Sequence, residues 1–142
     1  MRISDDPNYT AHMTFLLAKD FVSARNALEL VLPTTDGSTP HKAYILQQIG
    51  LTYFYEDNVE EALKYYELAE SVDPNSLSIR YATATFFAKK MRDAEKTIFK
   101  CEEIIRLAKI APFEESVEDM SSQYYIEKAE ELKRTIQSEP TE

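Results

Sequence analysis

The sequence predicts an all-α fold, a right-handed stack of helical hairpins with about seven helices, and two observations carry that prediction. Apolar residues recur at spacings of three and four through segments of about 11 to 18 residues, and none of these segments sustains the alternation of a strand. Between the segments stand short runs of helix-ending and helix-starting residues: Asp5-Asp6-Pro7-Asn8, Pro33 to Pro40, Asp57-Asn58, Asp73-Pro74-Asn75-Ser76 and Ala111-Pro112-Phe113. Proline ends a helix because it lacks the amide donor and clashes with the preceding turn, whereas Asp, Asn and Ser accept the free N–H groups of the next.

Read in order, these marks bound helices near 8–19, 21–32, 41–56, 58–72, 76–90, 92–109 and 119–137. The connection at 57–58 is only a kink, and Asn58-Val59-Glu60-Glu61 has the form of a capping box, with Glu61 able to reach back to the cap. Turns this tight make antiparallel helical hairpins. The last helix is strongly charged, with an apolar stripe at Tyr125, Ala129 and Leu132 that suits a lid packed on one side only.

Composition narrows the function classes. The chain has 142 residues, a length suited to a single domain, with 44% hydrophobic and 29% charged residues, so it is expected to fold. Glycine occurs only twice, which leaves little material for phosphate-cradling loops. Cys101 is the single cysteine, and His12 and His41 are the two histidines, a thin inventory for metal or triad chemistry. His12 has the apolar neighbours Met13, Phe15 and Leu16 and reads as a packing residue; Cys101 reads as inert core; His41 reads as exposed near a helix start. Adjacent carboxylates such as Glu60-Glu61, Glu102-Glu103 and Glu114-Glu115 splay apart on a helix and make poor acid–base pairs. No catalytic residue, cofactor or metal is expected, and the chain is not read as an enzyme.

The net charge of −9 argues against a nucleic-acid or anionic-membrane surface. No apolar run approaches the length of a membrane span, and the first residues lack the apolar stretch of a signal peptide, so the expected location is cytoplasmic. Charge also alternates in blocks: residues 43–79 hold seven acids and one base, residues 80–109 eight bases and four acids, and residues 111–142 nine acids and three bases.

The unit of long helix, tight turn, helix and proline turn recurs. Its clearest copy runs from Ala43 to Ser76, 34 residues, with Leu46, Ile49-Gly50 and Tyr53 on its first helix and Ala62, Tyr66, Ala69 and Pro74 on and after its second. This pattern resembles the tetratricopeptide repeat, with Leu46 where tryptophan is usual and Ile49 where leucine is. Setting Ala24 level with Ala62 gives a weaker first copy, with Phe15 at the Tyr53 position and His12 at that of Gly50. Setting Ala94 level with Ala62 gives a third, with Ala82 at the Gly50 position. The expected organisation is one domain, 1–142, with repeats at about 8–36, 43–76 and 77–109 and a capping helix at about 119–137.

The resemblance implies a concave surface lined by the first helix of each repeat, which in that family binds peptides or partner helices. Local sequence points the same way: residues 43–55 carry no formal charge and are apolar on nearly every face, and one hairpin covers only part of that surface. The expected groove comprises Tyr9, Met13 and Leu16, then Tyr44, Gln47, Leu51, Phe54 and Tyr55, then Ile79, Thr83 and Phe86. The competing expectation is that these side chains are core, sealed by curvature or by the C-terminal helix folding back. The lysine and asparagine positions by which one subset of the family clamps a terminal carboxylate are occupied in this chain by Tyr9 and Met13, Gln47 and Leu51, and Ile79 and Thr83, so the implied ligand is an apolar or amphipathic protein segment. In size, acidity and repeat number the chain is similar to the small acidic chaperones that hold translocator subunits before type III secretion. The expected function is therefore a protein–protein interaction module, chaperone-like or scaffold; the alternative is a structural subunit whose groove is filled by another copy or another component of a fixed assembly.

Overall fold

The computed structural model describes residues 5–110 and 122–138. Among them seven α-helices occur and no strand: α1 Pro7–Leu17, α2 Phe21–Val31, α3 Thr39–Tyr55, α4 Val59–Val72, α5 Leu77–Phe86, α6 Ala94–Ile110 and α7 Ser122–Ser138. The protein is all-α. Two short segments of other pitch join them, a 3-10 turn at Leu32–Thr35 and a π-helical turn at Phe87–Met91. The boundary expected at Ala111-Pro112-Phe113, the Glu114-Glu115 pair and the first residues of the helix expected from 119 lie outside the described residues.

Caps explain most boundaries. The side chains of Asp6, Asp20, Asn58 and Ser76 each accept an N–H from the first turn of the following helix, at Asn8, Ser23, Glu61 and Ile79. Pro7 and Pro40 stand in first turns, where a missing N–H costs nothing.

The three hairpins close with one piece of backbone chemistry. Lys19, Asp57 and Arg92 follow the ends of their helices in the left-handed region, at φ 59, 60 and 50°. The next residue, Asp20, Asn58 or Asp93, then caps the second helix through its side chain and accepts from the N–H of Ala24, Ala62 or Thr97 through its carbonyl, each at 3.0 Å. The first two turns match atom for atom: Asp20 N–H donates to Phe15 O at 2.9 Å, and Asn58 N–H to Tyr53 O at 3.0 Å. In the third, Asp93 N–H reaches one residue further back, to Phe87 O, because the π turn holds an extra residue.

Level positions on α5 lie 34 residues after those of α3, and on α6, past the extra residue, 35 after those of α4, which corrects the register of the third hairpin. Thr97, fully buried, occupies the position of Ala24 and Ala62, whereas Ala94 is exposed. On the first helix, counting back from Phe87 puts Ala84, not Ala82, level with Gly50, and Ala84 is also fully buried.

The chain divides into two compact units, Met1–Pro74 and Asn75–Glu142, each with its own core. In the first, α1 packs on α2, α2 on α3 and α3 on α4. Leu28 and Val31 of α2 meet Ile45 and Ile49 of α3. Gly50 permits the close approach of α3 and α4: a Cβ there would stand 3.2 Å from the ring of Tyr66 and 3.3 Å from the Cβ of Tyr65. Ala62, fully buried on α4, is the small residue on the facing helix.

In the second unit α5, α6 and α7 pack on one another in all three combinations. Leu77 and Ala84 of α5, Cys101 and Ile104 of α6, and Tyr125, Ile126 and Ala129 of α7 form its core. Arg80 ties α5 to α6 through Glu103 at 3.1 Å. Burial pushes the Cys101 thiol up to about 11, outweighing the pull of Lys133, so the thiol stays protonated and unreactive at neutral pH.

Replacing Ala62 by leucine forces side-chain volume into the α3–α4 crossing. The expected result is a loss of about 1–3 kcal/mol in urea denaturation of the purified protein; an unchanged midpoint would remove the close crossing as the organising contact of this hairpin.

Candidate functional site

The site lies in the first unit, between two helices that share a neighbour. Helices α1 and α3 both pack on α2, which holds them side by side with a space between. They run parallel: Tyr9, early in α1, meets Tyr44, early in α3, and Phe21, just past α1, stacks on Tyr55, the last residue of α3. The two tyrosine hydroxyls share a hydrogen bond of 3.2 Å, and the Phe21 and Tyr55 rings stack with centroids 5.4 Å apart.

Below these contacts Arg25 of α2 binds α3. Its Nη1 donates to Thr52 Oγ1 at 3.1 Å and to Glu56 Oε1 at 2.5 Å, and its guanidinium covers the Tyr53 ring at 3.9 Å. Thr52 donates in turn to Ile49 O. Burial raises the Tyr53 hydroxyl above its ordinary pKa, with Arg25 pulling the other way. This polar junction fixes the outer end of α3 against α2.

The space so framed is an open cavity of about 440 Å³. Tyr9, His12, Met13, Leu16 and Leu17 line it from α1, and Tyr44, Gln48, Leu51 and Tyr55 from α3; Lys19 of the α1–α2 turn and Phe21, the first residue of α2, close it. Met13 is 50% exposed, Leu17 87% and Tyr55 52%. A cluster of apolar and aromatic side chains left this accessible is unusual on a free surface.

His12 is 1% exposed and forms part of the cavity lining. Its Nδ1 donates to the Tyr9 carbonyl, which fixes the tautomer, and its ring meets Tyr9 edge-on with centroids 4.8 Å apart. Burial lowers its pKa from 6.5 against the opposing effect of the Tyr9 carbonyl, so at neutral pH the cavity presents a neutral imidazole.

Six residues singled out in the sequence, Tyr9, Met13, Leu16, Tyr44, Leu51 and Tyr55, line this one cavity. Gln47 and Phe54 are half-buried and do not; Gln48 lines it instead. Ile79, Thr83 and Phe86 are buried, at 2%, 1% and 0%, and offer no open wall. The misplaced register of the third hairpin is the reason: the positions level with Tyr44, Gln47 and Leu51 are Ser78, Tyr81 and Thr85, and Tyr81 is covered within its own unit by Tyr125 of α7, at 6.3 Å between rings. Sequence reasoning also missed Leu17 at the end of α1, Lys19 in the turn after it and Phe21 at the start of α2.

Among the described residues no three His, Cys, Asp or Glu side chains gather in a way that could hold a metal ion, and no helix is long and apolar enough to cross a membrane. No family model, curated protein or solved structure matches the chain.

His12 also makes a prediction about stability. The unfolded chain takes a proton at His12 near pH 6.5, whereas the folded chain resists it until lower pH, so the contribution is intact above 6.5 and declines as pH falls from there to the folded value. The expected observation is a His12 NMR titration midpoint below 6.5, with a loss of stability across that window that His12→Gln diminishes. A midpoint at or above 6.5 would contradict the buried, neutral assignment.

Proposed function

We propose that the protein is a cytoplasmic interaction module that captures an apolar or amphipathic segment of another protein between α1 and α3. One observation carries this reading: the cavity of about 440 Å³ is walled by apolar and aromatic side chains, several half-exposed or more, and framed by Tyr9–Tyr44 at one end and Phe21–Tyr55 at the other. Its walls belong to two helices locked to a common third, so the cavity exists before any partner arrives and little ordering opposes binding.

The reading of the hairpins as repeats of the tetratricopeptide kind draws support from their shared turn, a left-handed residue followed by an Asp or Asn cap at residues 19–20, 57–58 and 92–93. In such repeats the first helix of each hairpin supplies the binding wall, a role that falls to α1 and α3 in this chain. A chaperone or scaffold role follows from holding a segment without chemistry.

The test is a selection of peptides displayed in random sequence against the immobilised protein, followed by affinity measurement on Met13→Gln/Leu51→Gln, confirmed folded by circular dichroism. Selected peptides are expected to be apolar and to lose at least about tenfold in affinity for the double variant. Undiminished affinity would place binding elsewhere and overturn the proposal.

A further inference from the structure

The charge around the cavity narrows the chemistry of the segment it takes, and this inference rests on the capture reading above. Residues 1–74 carry 12 acidic and 5 basic side chains, a net of −7 out of the chain's −9. Of those bases, Arg25 is engaged with Glu56 and Thr52, and Lys64 lies 3.8 Å from Glu61.

The acidity is not spread evenly over the cavity. Because α1 and α3 run parallel, both end beside the Phe21–Tyr55 stack. Asp20, Glu56 and Asp57 follow these two helix ends directly in the chain, against Lys19 and Arg25, a formal net of −1, while the C-termini of α1 and α3 are offset by the N-termini of α2 and α4 that begin beside them. The cavity walls carry a single formal charge, that of Lys19. The site is thus apolar along its length with a net negative end.

We infer that the occupant is an amphipathic helix of another protein, its apolar side chains seated between α1 and α3 and its lysine or arginine residues at the end beside Asp20, Glu56 and Asp57. No strand occurs among the described residues, so capture through main-chain pairing at a sheet edge has no template, and side-chain anchors in a helix-lined groove are the mode available. The anionic surroundings favour a cationic partner in encounter and exclude an acidic one of the same apolar pattern.

Three synthetic peptides of about fourteen residues, long enough for about four helical turns, test this by fluorescence anisotropy: one with leucines at helical spacing and lysines on the polar face, the same peptide with glutamates for the lysines, and a proline-rich peptide with the same lysines. The lysine helix is expected to bind at least about tenfold more tightly than the glutamate helix and to weaken as salt is raised. It is also expected to lose affinity about threefold on Asp57→Asn, a change that keeps a residue tolerant of the left-handed backbone. Equal binding of the two helices, both lost in Met13→Gln/Leu51→Gln, would leave the groove as a capture site and overturn the charge inference. Tighter binding by the proline-rich peptide would overturn the helical occupant. Binding by none of the three, or binding indifferent to Met13→Gln/Leu51→Gln, would overturn both this inference and the capture reading.

Discussion

Helix α2 stands under both α1 and α3, and the character of the N-terminal unit depends on that placement. Leu28 and Val31 pack into Ile45 and Ile49 of α3, while Arg25 spans to Thr52, Tyr53 and Glu56 of the same helix. An apolar seam supplies the energy of the junction, and the guanidinium, with its fixed fork of donors and its flat face, supplies the angle. With α2 filling the space beneath them, α1 and α3 meet through the rings at their ends and leave a cavity between. The opening is a consequence of packing order and needs no special sequence at its own walls beyond apolar residues.

The three hairpin turns show how a short local signal is reused. A residue after the helix enters the left-handed region, at a cost that a polar side chain such as Lys19, Asp57 or Arg92 tolerates better than a β-branched one. An Asp or Asn then satisfies the first amides of the next helix. The gain at each cap is small, on the order of 1 kcal/mol, yet the same hydrogen bonds recur in the first two hairpins to within a tenth or two of an ångström. The third departs only by the π turn at Phe87–Met91, whose extra residue moves α6 by one place while α5 keeps the facing of α3.

The two units solve the problem of an unpaired apolar helix differently. In the second, α7 lies against both α5 and α6, and Tyr125 covers Tyr81, so the wall that α5 would otherwise offer is closed. In the first, none of the described residues covers Met13, Leu17 or Tyr55 to the same degree. Apolar surface left open over a preformed cavity is a feature of binding proteins more than of stable cores.

The sequence by itself determined the helices, their order, their caps and the tight turns, because these rest on contacts within about four residues, which spacing and residue type report directly. It also identified six side chains of the cavity, since an uncharged helix such as residues 43–55 must carry more apolar surface than one neighbour can cover. Only the tertiary structure decided which surplus surface stays open. Ile79, Thr83 and Phe86 have the same composition as groove residues, but they stand level with the buried Ile45, Ile49 and Thr52 of α3 and turn inward as those do, a register set by the turn at residues 92–93 that the spacing of small residues along α6 does not report. The division into two units and the closing of the second by α7 depend on packing between residues far apart in the chain, where many arrangements satisfy the same local pattern and the best-packed one prevails.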